Sequence, residues 1–199
     1  MPDGSPSETD IARWRKAERD RLIAERLAID PDTRLAHAGR IAASLEASIG
    51  PVSGRIVSVY WPFRGEPDLR GFMERVTGNG GTCALPVVVE RARPVVFRAW
   101  KPGDRLERGV WNIPVPADGA EVVPDVVVAP VVGFDPHCYR LGYGGGYYDR
   151  TLAALTRRPA VFGVGYAAAA IATIHPQPHD IPMDAIVTET GVIAPKRSA

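Results

Sequence analysis

The chain has 199 residues, enough for one domain with a substantial core, and its 45% hydrophobic and 24% charged residues are the proportions of a soluble globular protein. Its formal net charge of +1 supplies no bulk field for nucleic acid or a membrane surface, so any anion must be recognised locally. Two cysteines, Cys83 and Cys138, match no metal spacing and make no disulfide framework.

Residues 1–8 read as a disordered tail ahead of a single domain over 9–199. The polar, acidic start MPDGSPSETD carries no apolar signal segment, and no apolar run approaches the ~20 residues of a membrane helix, so a reducing cytoplasm is expected. SETD offers helix caps, and 9–29 has helical character with many arginines and a thin apolar stripe of Ala12, Leu22, Ala24 and Leu27. A second helix over 32–49 has Pro31 near its start, a stripe of Leu35, Ala38, Ile41, Ala42, Leu45 and Ile49, and Gly50-Pro51 as its end. The run 55–61 is the first strand, and PDLRGFMERVTG forms a short helix closing at Gly78. TCALPVVV and PVVFRAW are the next strands, and KPGDRLERGVWNIPVP is a loop excursion centred on Trp111. The almost continuously apolar run 125–134 is a strand buried on both faces. A helix over 147–157, a strand AVFGVGY and one or two strands in AIVTETGVI complete the chain. Strands alternating with helices predict an α/β fold: a mostly parallel open sheet, Rossmann-like in three layers, with helices on both faces and N-terminal helices in front. Ligands then sit beyond the carboxyl ends of the strands, where the segment YRLGYGGGYYDR falls.

In that segment Gly142, Gly144, Gly145 and Gly146 let the backbone approach a ligand, and successive amides ahead of a helix form an anion nest. The pattern is neither a Walker A loop nor a dinucleotide fingerprint, and spacing alone fits a plain glycine turn equally well. Its flanks carry more chemistry. Arg140 has a fork for phosphate, and Asp149 can either hold Mg²⁺ or stabilise the first turn of the helix. Arg15 and Arg19 share a helix face, a phosphate clamp or a solvated surface. Trp61, Phe63 and Glu66 follow the first strand, where an aromatic and a carboxylate suit a flat ring with N–H donors. Trp111 is a ring-stacking lid or a loop anchor. In HPQPHDIPMD, prolines between His175 and His179 exclude a helical zinc pair, leaving Asp180 and Asp184 for hard-cation or structural roles.

Taken in order, the strand ending in FD, the segment RLGYGGGYYDR, the segment PHDIPMDAIVTE and the earlier Trp61, Glu66 and VWNIP resemble the 5-formyltetrahydrofolate cyclo-ligase family from about Arg15 to Glu189. The resemblance implies an ATP- and Mg²⁺-dependent conversion of 5-formyltetrahydrofolate to 5,10-methenyltetrahydrofolate with release of ADP and phosphate. It implies Tyr147 and Glu66 as catalytic residues. Arg15, Arg19, Arg140, Gly142, Gly144, Gly145, Gly146 and Tyr148 would bind ATP. Trp61, Glu66, Trp111, Tyr143 and Tyr147 would bind the folate, and Asp149 and Asp180 the Mg²⁺. The partners implied are small molecules, with no nucleic acid or membrane, and a monomer is expected. Two positions depart from the family pattern. Cys138 stands where glycine is common, which a negative φ would allow, and Ala169 stands where a glutamine or similar polar residue is usual. They leave open a second reading, a paralogue that holds nucleotide or folate without turnover.

Overall fold

The computed structural model describes residues 7–196. Of the tail expected over 1–8, only Ser7 and Glu8 are described, and they begin α1 (Glu8–Ala28). The Ser7 hydroxyl accepts from the Asp10 amide, and Glu8 and Asp10 place negative charge at the positive end of the helix. Of the expected apolar stripe only Leu22 is buried, together with Arg26, while Ala12, Ala24 and Leu27 are exposed. The helix packs on loops after the sheet, with Leu22 against Val132, Leu141 and Ile174. In α2 (Pro31–Ile49) the Asp30 carboxylate caps the Thr33 amide at 2.9 Å, and Gly50 ends the helix at φ 71°. Ala38, Ile41, Ala42, Leu45 and Ile49 are buried as the spacing predicts, but Leu35 is exposed.

The sheet strands are β1 (Ile56–Ser58), β2 (Thr82–Val87), β3 (Val96–Ala99), β6 (Glu121–Val122), β7 (Val126–Pro130), β10 (Ala160–Val164), β11 (Ala185–Thr188) and β12 (Gly191–Ile193). Between them lie α3 (Arg70–Gly78), a hairpin of β4 (Leu106–Arg108) and β5 (Pro114–Pro116), a second hairpin of β8 (Gly133–Phe134) and β9 (Arg140–Leu141), and α4 (Tyr147–Ala154). The spatial order is β12-β11-β10-β7-β1-β2-β3-β6. The five strands from β11 to β2 run parallel, and β12, β3 and β6 add antiparallel edges. Alternate β7 residues face opposite layers. Val126 and Val128 pack with Leu45 of α2 and Phe72 of α3, whereas Val127 and Ala129 pack with Leu152 of α4. The α/β fold with helices on both faces is therefore the observed one.

Three expected boundaries move. β1 is three residues, not the whole of 55–61. The apolar run 125–134 divides because Pro130 has no N–H for the ladder, and Gly133–Phe134 turns away to pair with Arg140–Leu141. α4 stops at Ala154, with Leu155 extended, so that Arg157 reaches back to Asp125 at 2.5 Å.

The turn before the glycine segment corrects a fourth expectation. Cys138 adopts φ 61°, the left-handed region, not a negative φ. Its amide donates to the Asp135 carbonyl, and its carbonyl accepts from Met183, so both backbone groups hold it there. An L-residue in this region costs about 1–2 kcal/mol, and burial of the fully enclosed thiol offsets a similar amount. Cys138→Gly is therefore expected to change the unfolding free energy by less than about 1 kcal/mol in urea titrations. Cys83→Gly, equally buried but in a β2 strand with no such strain to relieve, is expected to cost about 2 kcal/mol or more.

Candidate active site

A cavity opens at the carboxyl ends of β1, β2 and β7, closed by α1, the β4–β5 hairpin and the glycine segment. Fifteen residues singled out in the sequence line it together: Arg15, Arg19, Trp61, Glu66, Trp111, Arg140, Gly142, Tyr143, Gly144, Gly145, Gly146, Tyr147, Tyr148, Asp149 and Asp180. Leu85, Pro86, Val88 and Val95 make an apolar wall.

One end is cationic. Arg15 is fixed by the Ile174 and His175 carbonyls, each at 2.9 Å, and by Asp180 at 2.5 Å. Arg19 donates to the Gly142 carbonyl at 2.6 Å, so α1 is tied to the glycine segment through its guanidinium. Burial, and next the charge of Arg15, lower the Arg19 guanidinium from its ordinary value against the opposing pull of Asp180 and Asp20. Gly144 at φ 90° and Gly146 at φ 62° curl the backbone, and Gly146 begins α4 without a side-chain cap. A Cβ on Gly145 would lie 2.6 Å from the Tyr147 ring. Arg140 pairs with Asp149 at 2.9 Å and lies over the Tyr148 ring. Its Nε and the Tyr148 hydroxyl are buried with no partner, two donors without acceptors.

The other end is aromatic. Trp111 sits at the tip of the β4–β5 hairpin, half-exposed, with φ 55°. Its indole is 6.5 Å from the Tyr143 ring and 6.1 Å from the Tyr147 ring. Phe63 lies 5.9 Å from Tyr143, and Trp61 packs edge-on against Trp100. Beneath them Glu66 is buried. Its two carboxylate oxygens accept from the Tyr143 hydroxyl and from the Phe63 amide, each at 2.8 Å. Burial pushes its pKa up to about 7, against the opposing pull of Arg26 and these hydrogen bonds. The site thus holds a titrating carboxyl at the foot of an aromatic slot.

The two carboxylates expected to serve a metal are both ion-paired. Asp149 accepts from Arg140 and from the Ile181 amide at 3.2 Å, and Asp180 from Arg15 and the Gln177 amide at 2.7 Å. Each carboxylate has further lone pairs, and Mg²⁺ needs only one or two protein carboxylates when phosphates complete its shell, so the donor set fits that ion. No group of three or more such ligands occurs among the described residues. Ala169 lies in a short turn packed against the cluster of Leu22, Val132, Leu141 and Ile174 and does not itself line the cavity.

Sequence reasoning missed Arg26, which bonds Tyr143, and Tyr60, and left Phe63 unassigned. Arg26 had a signal: Arg15, Arg19, Leu22 and Arg26 recur at intervals of four, three and four, one helix face.

A model of the 5-formyltetrahydrofolate cyclo-ligase family matches residues 11–189. The 5-formyltetrahydrofolate cyclo-ligase of Escherichia coli is 31% identical over 162 residues, 77% of this chain and 89% of the relative. That of Mycolicibacterium smegmatis is 30% identical over 152 residues, 72% of this chain and 78% of the relative. The NMR structure of Aquifex aeolicus 5,10-methenyltetrahydrofolate synthetase matches with a TM-score of 0.78 at 26% identity, over 93% of this chain and 95% of that one.

Proposed function

The chain belongs to the 5-formyltetrahydrofolate cyclo-ligase family, and on that premise we propose how its cavity closes the ring of 5-formyltetrahydrofolate to 5,10-methenyltetrahydrofolate with ATP, releasing ADP and phosphate. The observation that carries the proposal is a single cavity with arginines and a glycine nest at one end and an aromatic slot over a buried carboxyl at the other. A triphosphate fits the first and a pterin the second.

The formamide oxygen is a poor leaving group. Transfer of the γ-phosphoryl to it forms an imidate phosphate, a step that depends on positioning and charge neutralisation rather than on a protein nucleophile. Arg15, Arg19 and Arg140 supply the charge, and the amides of Gly142, Gly144, Gly145 and Gly146 the cradle, with Tyr148 beside them. Mg²⁺, held by Asp149 and Asp180, would neutralise phosphate charge when bound. N10 then attacks the formyl carbon: the N10–C bond forms, the C–O bond breaks, and phosphate leaves with the electron pair. The N10 proton must also leave. Glu66, titrating near 7, is the carboxylate suited to receive it. Trp61, Trp111 and Tyr143 hold the pterin, and Tyr147 stands beside the formyl group.

No helix among the described residues is long and apolar enough to cross a membrane; a monomer acting on small molecules in the cytoplasm is part of the same proposal. Nothing lining the cavity favours a non-catalytic paralogue. Protein mixed with 5-formyltetrahydrofolate, Mg²⁺ and ATP is expected to produce methenyltetrahydrofolate absorbance that is absent when ATP is omitted. A flat trace from folded protein would overturn the reading.

A further inference from the structure

Among the described residues Arg26 is the one cation buried beneath the aromatic end of the cavity, and it does not line it. Its Nε donates to the Arg64 carbonyl at 2.9 Å, which ties it to the loop that carries Glu66. One terminal nitrogen donates to the Tyr143 hydroxyl at 2.6 Å, and the other is buried without a partner. Arginine has no acceptor, so the Tyr143 oxygen must accept from it, and the single Tyr143 proton is left to point at Glu66, 2.8 Å away. The guanidinium therefore sets the direction of the whole chain of hydrogen bonds. With the Phe63 amide on the other oxygen, both Glu66 oxygens are required to accept, the pattern of a carboxylate rather than a carboxylic acid.

We propose that Arg26 is a positioning residue of the ring-closure step, acting through Tyr143 to keep the Glu66 side chain a proton acceptor aimed at the folate end of the cavity. This rests on the family reading above and adds to it a residue on α1 that touches neither substrate. The charged and titratable groups close enough to influence Glu66 are Arg26 from α1, Tyr143 from the glycine segment, Tyr60 after β1, Tyr148 from α4 and Tyr166 after β10, of which only Tyr143 bonds it, the Tyr60 and Tyr166 hydroxyls donating to the Pro67 and Gly65 carbonyls. The four tyrosines are all held neutral by burial, so Arg26 alone among them supplies positive charge.

The test is the pH dependence of kcat/KM for 5-formyltetrahydrofolate in Arg26→Gln, Arg26→Lys and Tyr143→Phe. Glutamine can accept as well as donate, so it frees the Tyr143 proton and removes the charge. The acidic limb is expected to move up by about one unit, a roughly fivefold loss at pH 7 that recovers towards wild type by pH 9. Arg26→Lys should restore at least half of that loss, and KM for ATP should stay within about twofold in both. Tyr143→Phe, which breaks the relay but keeps the Arg26 charge, should reproduce part of the shift, and Arg26→Gln added to it should cost less than it does alone. A loss equal at pH 7 and pH 9 would make Arg26 a structural strut and overturn the inference. If Arg26→Gln fails to fold, Arg26→Lys and Tyr143→Phe decide it. Should the wild type show no ATP-dependent product, the proposed activity fails, and the Glu66 titration followed by carboxyl-carbon NMR decides Arg26 separately. A higher midpoint in Arg26→Gln supports it and an unchanged midpoint sinks it.

Discussion

Glu66→Gln is expected to lower kcat at pH 8 by at least about 100-fold while leaving the folate slot formed. The substitution keeps the shape of the side chain and its acceptor towards the Tyr143 hydroxyl, and removes the ability to take a proton. A positioned general base contributes typically 10²–10⁴-fold, so a smaller loss would move the proton-transfer role elsewhere in the cavity. The pH profile separates this from simple loss of binding. Wild-type kcat/KM is expected to rise through a limb near pH 7, where Glu66 ionises, and the residual activity of Glu66→Gln should lack that limb. A glutamine variant that keeps both the limb and the rate would remove Glu66 from the mechanism.

The same group predicts a stability trend. Glu66 has a folded pKa of about 7 against an ordinary value of 4.5, so between those pH values the folded state binds more protons than the unfolded chain. Stability falls as pH rises through that window, and the cost of burying the ionised carboxylate, on the order of 3 kcal/mol at most, is fully present above it. In Glu66→Gln that slope should vanish, so its Tm relative to wild type should be higher at pH 8 than at pH 4.5. The gain is reduced by the Phe63 amide, which then faces an NH₂ group instead of an oxygen. An active site that holds a carboxylate at a stability cost is the usual consequence of tuning a base to neutral pH.

The sheet was legible because β7 is written as a run of β-branched residues buried on both faces, and the glycine segment because so many glycines follow that strand. What was not legible depends on contacts between distant segments. α1 looked like a solvated charged helix because its inward stripe is made of arginines, and only the loops at 142, 174–175 and 64 show where their donors go. Spacing on the helix held the information, but an apolar count cannot read it. Cys138 was misjudged for a related reason. Nothing in the residue type announces a left-handed φ, which is imposed by Asp135 on one side and Met183 on the other.

Asp149→Asn is the second substitution with a large expected effect, and it divides two roles that the sequence could not separate. In the fold Asp149 and Arg140 are an almost enclosed pair, 2.9 Å apart, so the variant leaves a buried guanidinium with a neutral partner. Breaking such a pair costs about 3–5 kcal/mol when one charge is removed outright, and asparagine keeps one acceptor, so a loss of about 2–4 kcal/mol is expected by urea denaturation. That loss follows whether or not Asp149 meets a metal. The metal role is read from the Mg²⁺ concentration giving half-maximal rate at fixed ATP. If Asp149 is a ligand, this concentration should rise at least about tenfold, and Asp180→Asn, which frees Arg15 instead, should raise it as well. If Asp149 only aims Arg140 at phosphate, KM for ATP rises and the Mg²⁺ requirement does not change. The second result would leave the arginines and the glycine nest as the protein's share of charge neutralisation, with the cation carried on the nucleotide alone.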